Sequence, residues 1–369
     1  MRIIWFTHSL VSCWNHGNAH FLRGVLRELQ ALGHEVVALE PAEGWSRANL
    51  LREAGPAALA AFAADFPSLT PRFYAPDAEP AALVDGADLV VVHEWTDPAL
   101  VGAIGRRRAE GAGFRLLFHD THHRAVTAPE EMRRLDLSAY DGVLAFGATL
   151  AEVYRRRGWG ERVFVWHEAA DTALFHPPAR PAPRRGVVWI GNWGDDERSA
   201  ELREFLISPI ARLGALAQPA LVHGVRYPPA ALALLGEAGI TYGGWIANAR
   251  VPAVFARHRA TVHVPRRAYA TDLPGIPTIR MFEALACGIP LVSAPWTDSE
   301  GLFSPGEDYL VARNGTEMAR HLRALLADDA LAAAVGARGH ATIAARHSCA
   351  HRARALLDIA ATLRHEVAA

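Results

Sequence analysis

Short apolar runs alternate along the chain with segments in which apolar residues recur at helical spacing. Each run is short enough to be a buried strand, and six precede residue 177 while six follow residue 185. The predicted strands are 2–6, 36–39, 88–93, 115–119, 140–147 and 162–167 in the first half, and 187–190, 220–223, 240–242, 261–264, 291–293 and 309–312 in the second. Strands that alternate with helices form parallel sheets covered on both faces. The pattern therefore predicts an α/β protein with two Rossmann-like, doubly wound parallel-sheet domains.

The two halves are separated by a segment rich in proline. Pro177, Pro178, Pro181 and Pro183 fall within seven residues, and so many prolines stiffen a chain and prevent regular structure. We predict a first domain over 1–176, a linker over 177–185, a second domain over 186–346 and a final amphipathic helix within 347–369.

Composition narrows the classes of function. The chain has 369 residues, is 51% apolar and carries a formal net charge of −1, which fits two globular domains and gives no basic field for binding nucleic acid. The sequence contains no lysine, so all 38 basic residues are arginine, which excludes a P-loop lysine and a lysine Schiff base. Three scattered cysteines form no metal or disulfide framework, and no apolar run approaches the length of a membrane span. We expect a cytoplasmic protein.

Histidines cluster at the end of one predicted strand of the first domain. The sequence HDTHH places His119 and Asp120 where the strand 115–119 ends, and ligands of open α/β sheets bind at that edge. Three interpretations stay open: a metal site, for which no further ligands are evident, residues that orient or deprotonate a substrate hydroxyl, and a polar loop. The loop after the first strand lacks the GxGxxG fingerprint, so a NAD enzyme is not favoured.

The most informative stretch of the second domain is 272–296. Gly275 and its flanking prolines interrupt any preceding element, apolar residues at helical spacing follow, and Gly288 supplies a helix end before a short β-branched run. A helix that starts after glycine offers oriented N–H groups to an anion such as a diphosphate. Glu283 lies about 9 Å along this helix, where its carboxylate can accept hydrogen bonds from a ribose.

This stretch resembles the donor-nucleotide motif of GT-B glycosyltransferases, which carries a glutamate within a run similar to FEALACGIPLV (282–292). The longer block PGIPTIRMFEALACG (274–288) is most similar to the spore-maturation-type (CgeB-like) glycosyltransferase family. Many retaining GT-B enzymes have a second glutamate eight residues before the first, where this chain has Gly275.

The resemblance implies the GT-B architecture, with two domains that face a cleft and a C-terminal helix that crosses back to the first domain. It also implies the residues of the site. His119, Asp120 and His16 are the candidates for acting on the acceptor. The candidates for binding the donor are Gly17, Asn18, Asn192, Arg198, Trp245, Ile246, Arg266, Thr278, Ile279, Arg280 and Glu283.

We therefore expect a glycosyltransferase that moves a sugar from a nucleoside diphosphate donor, such as a UDP sugar, to an acceptor that is a small molecule, a glycan or a protein. No cofactor and no metal ion is expected, nucleic acid is not an expected partner, and membrane contact is at most peripheral. Two alternatives stay open: a non-catalytic subunit that binds a nucleotide sugar, and an NDP-sugar epimerase on the same fold.

Overall fold

The computed structural model describes residues 1–180, 182–194 and 196–365, and these divide into two compact units. The first unit combines Met1–Glu168 with the C-terminal helix Cys349–His365, and the second unit is Ala169–Ser348. The strands of both units, in chain order, are β1 (Arg2–Phe6), β2 (Glu35–Pro41), β3 (Pro71–Tyr74), β4 (Leu89–His93), β5 (Arg115–Asp120), β6 (Gly142–Ala145), β7 (Val163–Val165), β8 (Val187–Ile190), β9 (Ala220–His223), β10 (Thr241–Tyr242), β11 (Ala260–His263), β12 (Leu291–Ser293) and β13 (Leu310–Val311).

Helices connect these strands in nearly every interval. They are α1 (Ala19–Ala31), α2 (Trp45–Ala54), α3 (Ala57–Asp65), α4 (Pro80–Leu83), α5 (Pro98–Ala109), α6 (Arg124–Thr127), α7 (Pro129–Met132), α8 (Ala148–Arg157), α9 (Ser199–Leu202), α10 (Ser208–Leu213), α11 (Pro229–Glu237), α12 (Val251–Phe255), α13 (Arg267–Thr271), α14 (Ile279–Ala286), α15 (Gly315–Ala327), α16 (Asp329–Arg346) and α17 (Cys349–His365). A π-helical segment (Arg203–Ile207) and two 3₁₀ turns (Gly214–Ala217 and Asn248–Arg250) complete the helical elements of the described residues.

Each unit contains one parallel sheet. The strand order is β3-β2-β1-β4-β5-β6-β7 in the first unit and β10-β9-β8-β11-β12-β13 in the second. In both sheets the chain first adds strands on one side of the starting strand and then returns to the other side. This reversal creates a crevice at the carboxyl ends of β1 and β4 in the first sheet, and of β8 and β11 in the second.

Burial explains why the apolar runs became strands. All five residues of β4 and all six of β5 are buried, because helices cover both faces of a parallel sheet. The second unit has its own core, in which Val187, Trp189, Val222 and Val262 of the strands pack with residues from the surrounding helices. The predicted α/β class with two doubly wound parallel sheets is confirmed.

The sequence pattern missed one strand, and the reason is its environment. Strand β3 (Pro71–Tyr74) pairs with β2 at the edge of the first sheet, and its two central residues are exposed. An exposed edge strand needs no apolar run, so hydrophobic periodicity gives no signal for it.

The proline-rich segment that we predicted to be a linker lies within the second unit, and the boundary of that unit precedes it at residues 168 and 169. Arg184 donates to the carbonyl of Gly288 (2.9 Å), and Arg185 accepts from the backbone of Arg259 (3.3 Å). Residue 181 of the predicted linker and residues 366–369 of the predicted final helix lie outside the described residues.

The C-terminal helix α17 packs against α1 in the first unit. Arg115 of β5 donates to the carbonyl of Ala360 (3.0 Å), and the indole N–H of Trp166 donates to the carbonyl of Arg352 (3.0 Å). These contacts attach the end of the described chain to the sheet formed by its beginning. No helix in the described part of the chain is long and apolar enough to cross a membrane.

Candidate functional site

The loop before α14 is shaped by Gly275, which has φ = +95°. A Cβ built on this glycine would lie 2.2 Å from the hydroxyl oxygen of Ser299, in the loop that follows β12. Both the backbone conformation and this close approach require glycine here. The glutamate that many retaining relatives carry at this position therefore does not fit this backbone without displacement of Ser299.

A chain of hydrogen bonds fixes the first residues of α14. The Ser293 hydroxyl donates to the Ala294 carbonyl (2.7 Å), so its oxygen accepts from Nδ1 of His263 (2.8 Å). Nε2 of His263 then accepts from the hydroxyl of Thr278 (3.0 Å), the residue that precedes the helix. Burial lowers the pKa of His263 to about 3, so the ring is neutral and can act as an acceptor. Because the Thr278 side chain is held by His263, the N–H groups at the start of α14 receive no side-chain cap from it.

Glu283 lies on the second turn of α14 and is fully buried. One carboxylate oxygen forms an ion pair with Arg280, one turn earlier, and the other accepts a hydrogen bond from Nδ2 of Asn248 (3.4 Å). A buried carboxylate is costly unless it is paired and hydrogen-bonded, so these two partners offset the cost of burial and orient the side chain. Asn248, which the sequence did not single out, is a positioning residue for Glu283.

Three arginines converge near the start of α14. Burial and the nearby charges of Arg266 and Arg280 lower the pKa of Arg198 to about 9. Arg198 donates to the backbone carbonyls of Val264 (2.9 Å) and Asn192, and its Nε has no partner among the described residues. Arg266 pairs with Glu197 at 3.2 Å. Mutual repulsion in a buried cluster of this kind is relieved by an anion.

The predicted loop after β8 is held by Asn192. Its side-chain oxygen accepts from the backbone of Val225 (3.0 Å), which follows β9, while its carbonyl accepts from Arg198. Asn192 therefore joins the ends of two neighbouring strands to the arginine cluster.

The loop 243–248 brings Trp245 and Ile246 to the same edge of the second sheet. A Cβ on Gly243 would lie 2.4 Å from the ring of His223, so the chain can pass the end of β9 only with glycine at this position. Trp245 and Ile246 are half-buried, and the buried indole N–H of Trp245 has no partner among the described residues. Asn248 at the end of this loop contacts Glu283. Asn248 thus connects this loop to α14, and the grouping of the predicted residues of the second unit into one donor site stays a prediction.

The predicted residues of the first unit form a separate group at the edge of the first sheet. The loop after β1 is fixed by Glu40, whose carboxylate accepts from the hydroxyl of Ser9 (2.7 Å) and from the backbone of Leu10 (2.7 Å) and Val11 (3.2 Å). His16 is buried against the ring of His8, with their centroids 4.9 Å apart. Gly17 and Asn18 are half-buried just before α1.

His119 and Asp120 lie at the end of β5, and both are buried. The ring of His119 is surrounded by the aromatic rings of Trp5, Phe21, His93 and Trp166. Burial lowers its pKa to about 3, and neither ring nitrogen has a partner among the described residues. The adjoining cavity, which is also lined by His16 and Asn18, measures only about 10 Å³, the space of a single water molecule. In this structure His119 does not reach a space that admits an acceptor, and its catalytic role stays a prediction.

Asp120 is enclosed by its own hydrogen bonds. Its carboxylate accepts from the hydroxyl of Tyr154 (2.7 Å) and from the backbone of His122 (2.9 Å), and burial raises its pKa. The neighbouring carboxyl of Glu94, at the end of β4, has a pKa well above its usual range because of burial and the charge of Asp120. Glu94 also pairs with Arg124 at 3.1 Å. Of these two residues, Glu94 is the one that lines a large cavity, although its side chain is itself fully buried, and the sequence pattern did not identify it.

Among the described residues, no group of three or more histidine, cysteine, aspartate or glutamate side chains is arranged to hold a metal ion.

Most of the second unit and the start of α17 are similar to a known family. Residues 198–358 match the protein family described as glycosyl transferase-like. No curated protein matches the sequence significantly.

Solved structures share the fold of the entire chain at low sequence identity. Sucrose-phosphate synthase from Thermosynechococcus elongatus superposes with a TM-score of 0.66 at 16% identity, covering 99% of this chain and 100% of the other. HepE from Anabaena, crystallised with UDP-glucose, gives a TM-score of 0.70 at 14% identity, covering 98% and 100%. An alpha-glucosyltransferase crystallised with UDP and a 13-mer DNA gives 0.66 at 12% identity, covering 98% and 99%.

The chain therefore has the GT-B fold, and its residues 198–358 are similar to the glycosyl transferase-like family. The region that matches the family contains Arg198, Trp245 and Glu283, and so includes most of the site in the second unit.

Proposed function

We propose that the protein transfers a sugar from a nucleoside diphosphate donor, with UDP as the preferred nucleotide, to an acceptor hydroxyl or amine. The observation that carries the proposal is the buried Glu283 carboxylate, held by Asn248 and Arg280 one turn after an uncapped helix start. A nucleotide is the ligand class that presents a ribose and a diphosphate at such a spacing.

In this proposal the ribose hydroxyls donate to the carboxylate of Glu283. A carboxylate is an acceptor with several lone pairs, and its hydrogen bonds to hydroxyl groups are charge-assisted. The nucleobase stacks near Trp245 and contacts Ile246, and the indole N–H of Trp245 gains a partner when the site is filled. The UDP and UDP-glucose bound to HepE in its crystal structures support the choice of nucleotide.

The diphosphate is bound by the N–H groups of residues 278–280 and by the arginine cluster. A helix start stabilises an anion through its oriented N–H groups, and α14 is eight residues long. Arg198 and Arg266 supply the positive charge that lysine provides in many other nucleotide sites. We propose that these groups neutralise the leaving diphosphate without a metal ion.

The group that handles the acceptor proton belongs to the first unit. We assign it to the adjacent carboxyl groups of Glu94 and Asp120, in which Asp120 acts as the positioning residue and Glu94 is among the residues that line the large cavity. Burial and the charge of Asp120 raise the pKa of Glu94 well above its usual range, which suits a carboxyl group that holds a proton where a free glutamate would not.

The resemblance of 274–288 to the spore-maturation-type (CgeB-like) family gives the finer classification that we propose. We also propose a cytoplasmic location, because none of the three cysteines forms a disulfide.

A thermal-shift panel of UDP, GDP and TDP sugars tests the donor. A ligand at 100 times its dissociation constant should stabilise the protein by about 2.7 kcal/mol. The expected result is a shift with a UDP sugar that exceeds the shift with the corresponding GDP and TDP sugars, and the absence of any shift would contradict the proposal.

A second candidate, a non-catalytic subunit that binds the nucleotide sugar, is favoured by Gly275, where retaining enzymes of this fold carry a glutamate. Slow hydrolysis of the bound donor in the absence of acceptor separates the two, because only an enzyme releases free sugar and UDP.

A further inference from the structure

A large cavity lies at the carboxyl edge of the first sheet. It measures about 1000 Å³, and all of its lining residues belong to the first unit. His8 follows β1 and Glu94 follows β4, so the cavity occupies the point at which the strand order reverses. Ligands of open α/β sheets bind at such points.

Two tryptophans line this cavity from opposite sides of β1 in the strand order. Trp45 begins α2 after β2, and Trp95 follows β4. Their residues are 49% and 45% exposed, which is unusual for the largest apolar side chain. Exposed indoles within a concave pocket are typical of ligand sites rather than of a solvated surface.

Each indole is held in place by neighbouring groups. The guanidinium of Arg124 lies 3.8 Å from the ring centroid of Trp95, and the ring of His122 contacts Trp95 from its edge at 5.4 Å. Trp45 packs edge-on against Trp14, with centroids 5.1 Å apart. Because these contacts fix the rings, the exposed parts of both indoles are preorganised for stacking.

The charges of the cavity exclude one class of ligand. Among the described residues that line it, six are acidic and three are arginines. Arg124 is already paired with Glu94 and Glu131. A polyanion such as nucleic acid, or a sugar that carries a carboxylate or phosphate, would meet repulsion here, whereas hydroxyl and amino groups would find carboxylate acceptors.

From this geometry we propose that the cavity is the acceptor site and that its ligand is a neutral or amino-substituted sugar ring, stacked on Trp95 and Trp45. This inference rests on the proposed function, since it names the substrate class for the transfer. The apolar C–H face of a sugar ring covers an indole, while its hydroxyls donate to exposed carboxylates of the cavity such as that of Asp97.

The experiment uses three probes with the full-length protein: methyl glucoside, methyl glucosaminide and methyl glucuronide. Their binding is followed through tryptophan fluorescence and, with a UDP sugar present, through product formation. The neutral and amino-substituted glycosides should bind and serve as acceptors, and the anionic glucuronide should do so at least tenfold more weakly.

Substitution of the two indoles tests the location of the site. Trp95→Ala and Trp45→Ala should each raise the acceptor KM about tenfold, the effect of losing one aromatic stacking contact, and leave UDP affinity as in the wild type. Phe73→Ala is the matched control, because Phe73 is an equally exposed aromatic residue of the same unit that does not line the cavity. Trp95→Phe, which keeps an aromatic face, should recover most of the affinity and guards against a loss caused by misfolding.

Three results would overturn the inference: wild-type acceptor KM in both alanine variants, preferential binding of the glucuronide or of a 13-mer DNA, and failure of all three glycosides to bind. These outcomes differ from failure of the proposed function. If the proposed function is wrong, no UDP sugar binds or is hydrolysed, while glycoside binding at Trp95 is still measurable by fluorescence.

Discussion

Glu283 and Arg280, one helical turn apart on α14, form an ion pair in which the glutamate is fully buried and the arginine side chain is 24% exposed. The pair links two parts of the proposed donor site. Arg280 also contributes to the positive field around Arg198, so the carboxylate that we propose for the ribose and the cations that we propose for the diphosphate interact electrostatically. A ligand bound at Glu283 should therefore change the electrostatic potential at Arg198, and a ligand bound at Arg198 should change it at Glu283.

We predict that Arg198 carries much of the affinity for the diphosphate. Arg198→Ala should reduce the advantage of a nucleoside diphosphate over the nucleoside by about 1.5–3 kcal/mol, the usual value of a hydrogen bond to a charged group. Arg198→Lys should not restore it, because an ammonium cannot also hold the two carbonyls that Arg198 bonds. The measurement is calorimetric titration with uridine and with UDP.

The control for this prediction is Arg267→Ala. Arg267 is adjacent to Arg266 in sequence but is 53% exposed and pairs with Glu201 on the surface. Arg266→Ala is a second test variant that removes a nearby charge together with its ion pair to Glu197. If both Arg198→Ala and Arg266→Ala keep the full difference in affinity between UDP and uridine, these arginines do not bind the diphosphate.

Gly275→Ala should destabilise the protein and weaken UDP binding. The positive φ and the 2.2 Å approach of Ser299 are both incompatible with a Cβ, and a combination of backbone strain and overpacking costs about 1–3 kcal/mol. Gly301→Ala is the matched control, since it has φ = +63° but no atom within 4 Å of the added Cβ. Denaturant unfolding of the two variants should differ by the cost of the contact, and equal losses would attribute the effect to φ alone.

Acidification should unfold the first unit because its buried histidines are neutral. Burial lowers the pKa of His8 to about 4 and that of His119 to about 3, and it lowers those of His16 and His93 well below 6.5. Below pH 6.5 the unfolded chain binds protons that the folded chain does not, so the free energy of unfolding falls as the pH drops from 6.5 towards 4. The raised pKa values of Glu40, Glu94 and Asp120 act in the opposite sense, but these three carboxyl groups oppose four histidines.

The measurement for this prediction is urea unfolding between pH 4 and pH 8, in the wild type and in His119→Phe. The variant should lose less stability on acidification, by up to about 1.4 kcal/mol for each pH unit. His176→Gln, at an exposed position, is the control and should follow the wild type. Parallel pH profiles for wild type and His119→Phe would contradict the assignment.

Chelation should leave activity intact. The proposed diphosphate site uses arginine and helix N–H groups, so the rate of donor hydrolysis or transfer in excess EDTA should equal the rate in Mg²⁺ or Mn²⁺. Activity that disappears with the chelator and returns with either ion would show that the leaving group needs a metal.

The sequence predicted those parts of the molecule that depend on local pattern. Buried strands such as β4 and β8 appear as apolar runs, and the start of α14 appears as glycine and proline before a helical period. The hydrophobic pattern did not predict strand β3, because its central residues are exposed at a sheet edge.

The parts of the site that were missed arise from long-range contacts. Asn248 reaches Glu283 across 35 residues, and His263 holds Thr278 through a hydrogen bond that no spacing rule predicts. Trp45 and Trp95 are unremarkable in the sequence, and only the strand order brings them to one cavity. His119 and Asp120 were correctly positioned at a strand end, but whether an end residue is buried or accessible depends on the side chains packed around it.

The central claim is that Glu283 binds the ribose of a nucleotide donor, and calorimetric titration of Glu283→Gln with UDP tests it most directly. The substitution keeps the shape of the side chain but removes its charge, so UDP binding should weaken by about 1–3 kcal/mol while the protein stays folded. Glu317→Gln is the control. Glu317 lies on α15 and is ion-paired with Arg313, and neither residue belongs to the proposed site. Equal UDP affinity in Glu283→Gln, Glu317→Gln and the wild type would contradict the account.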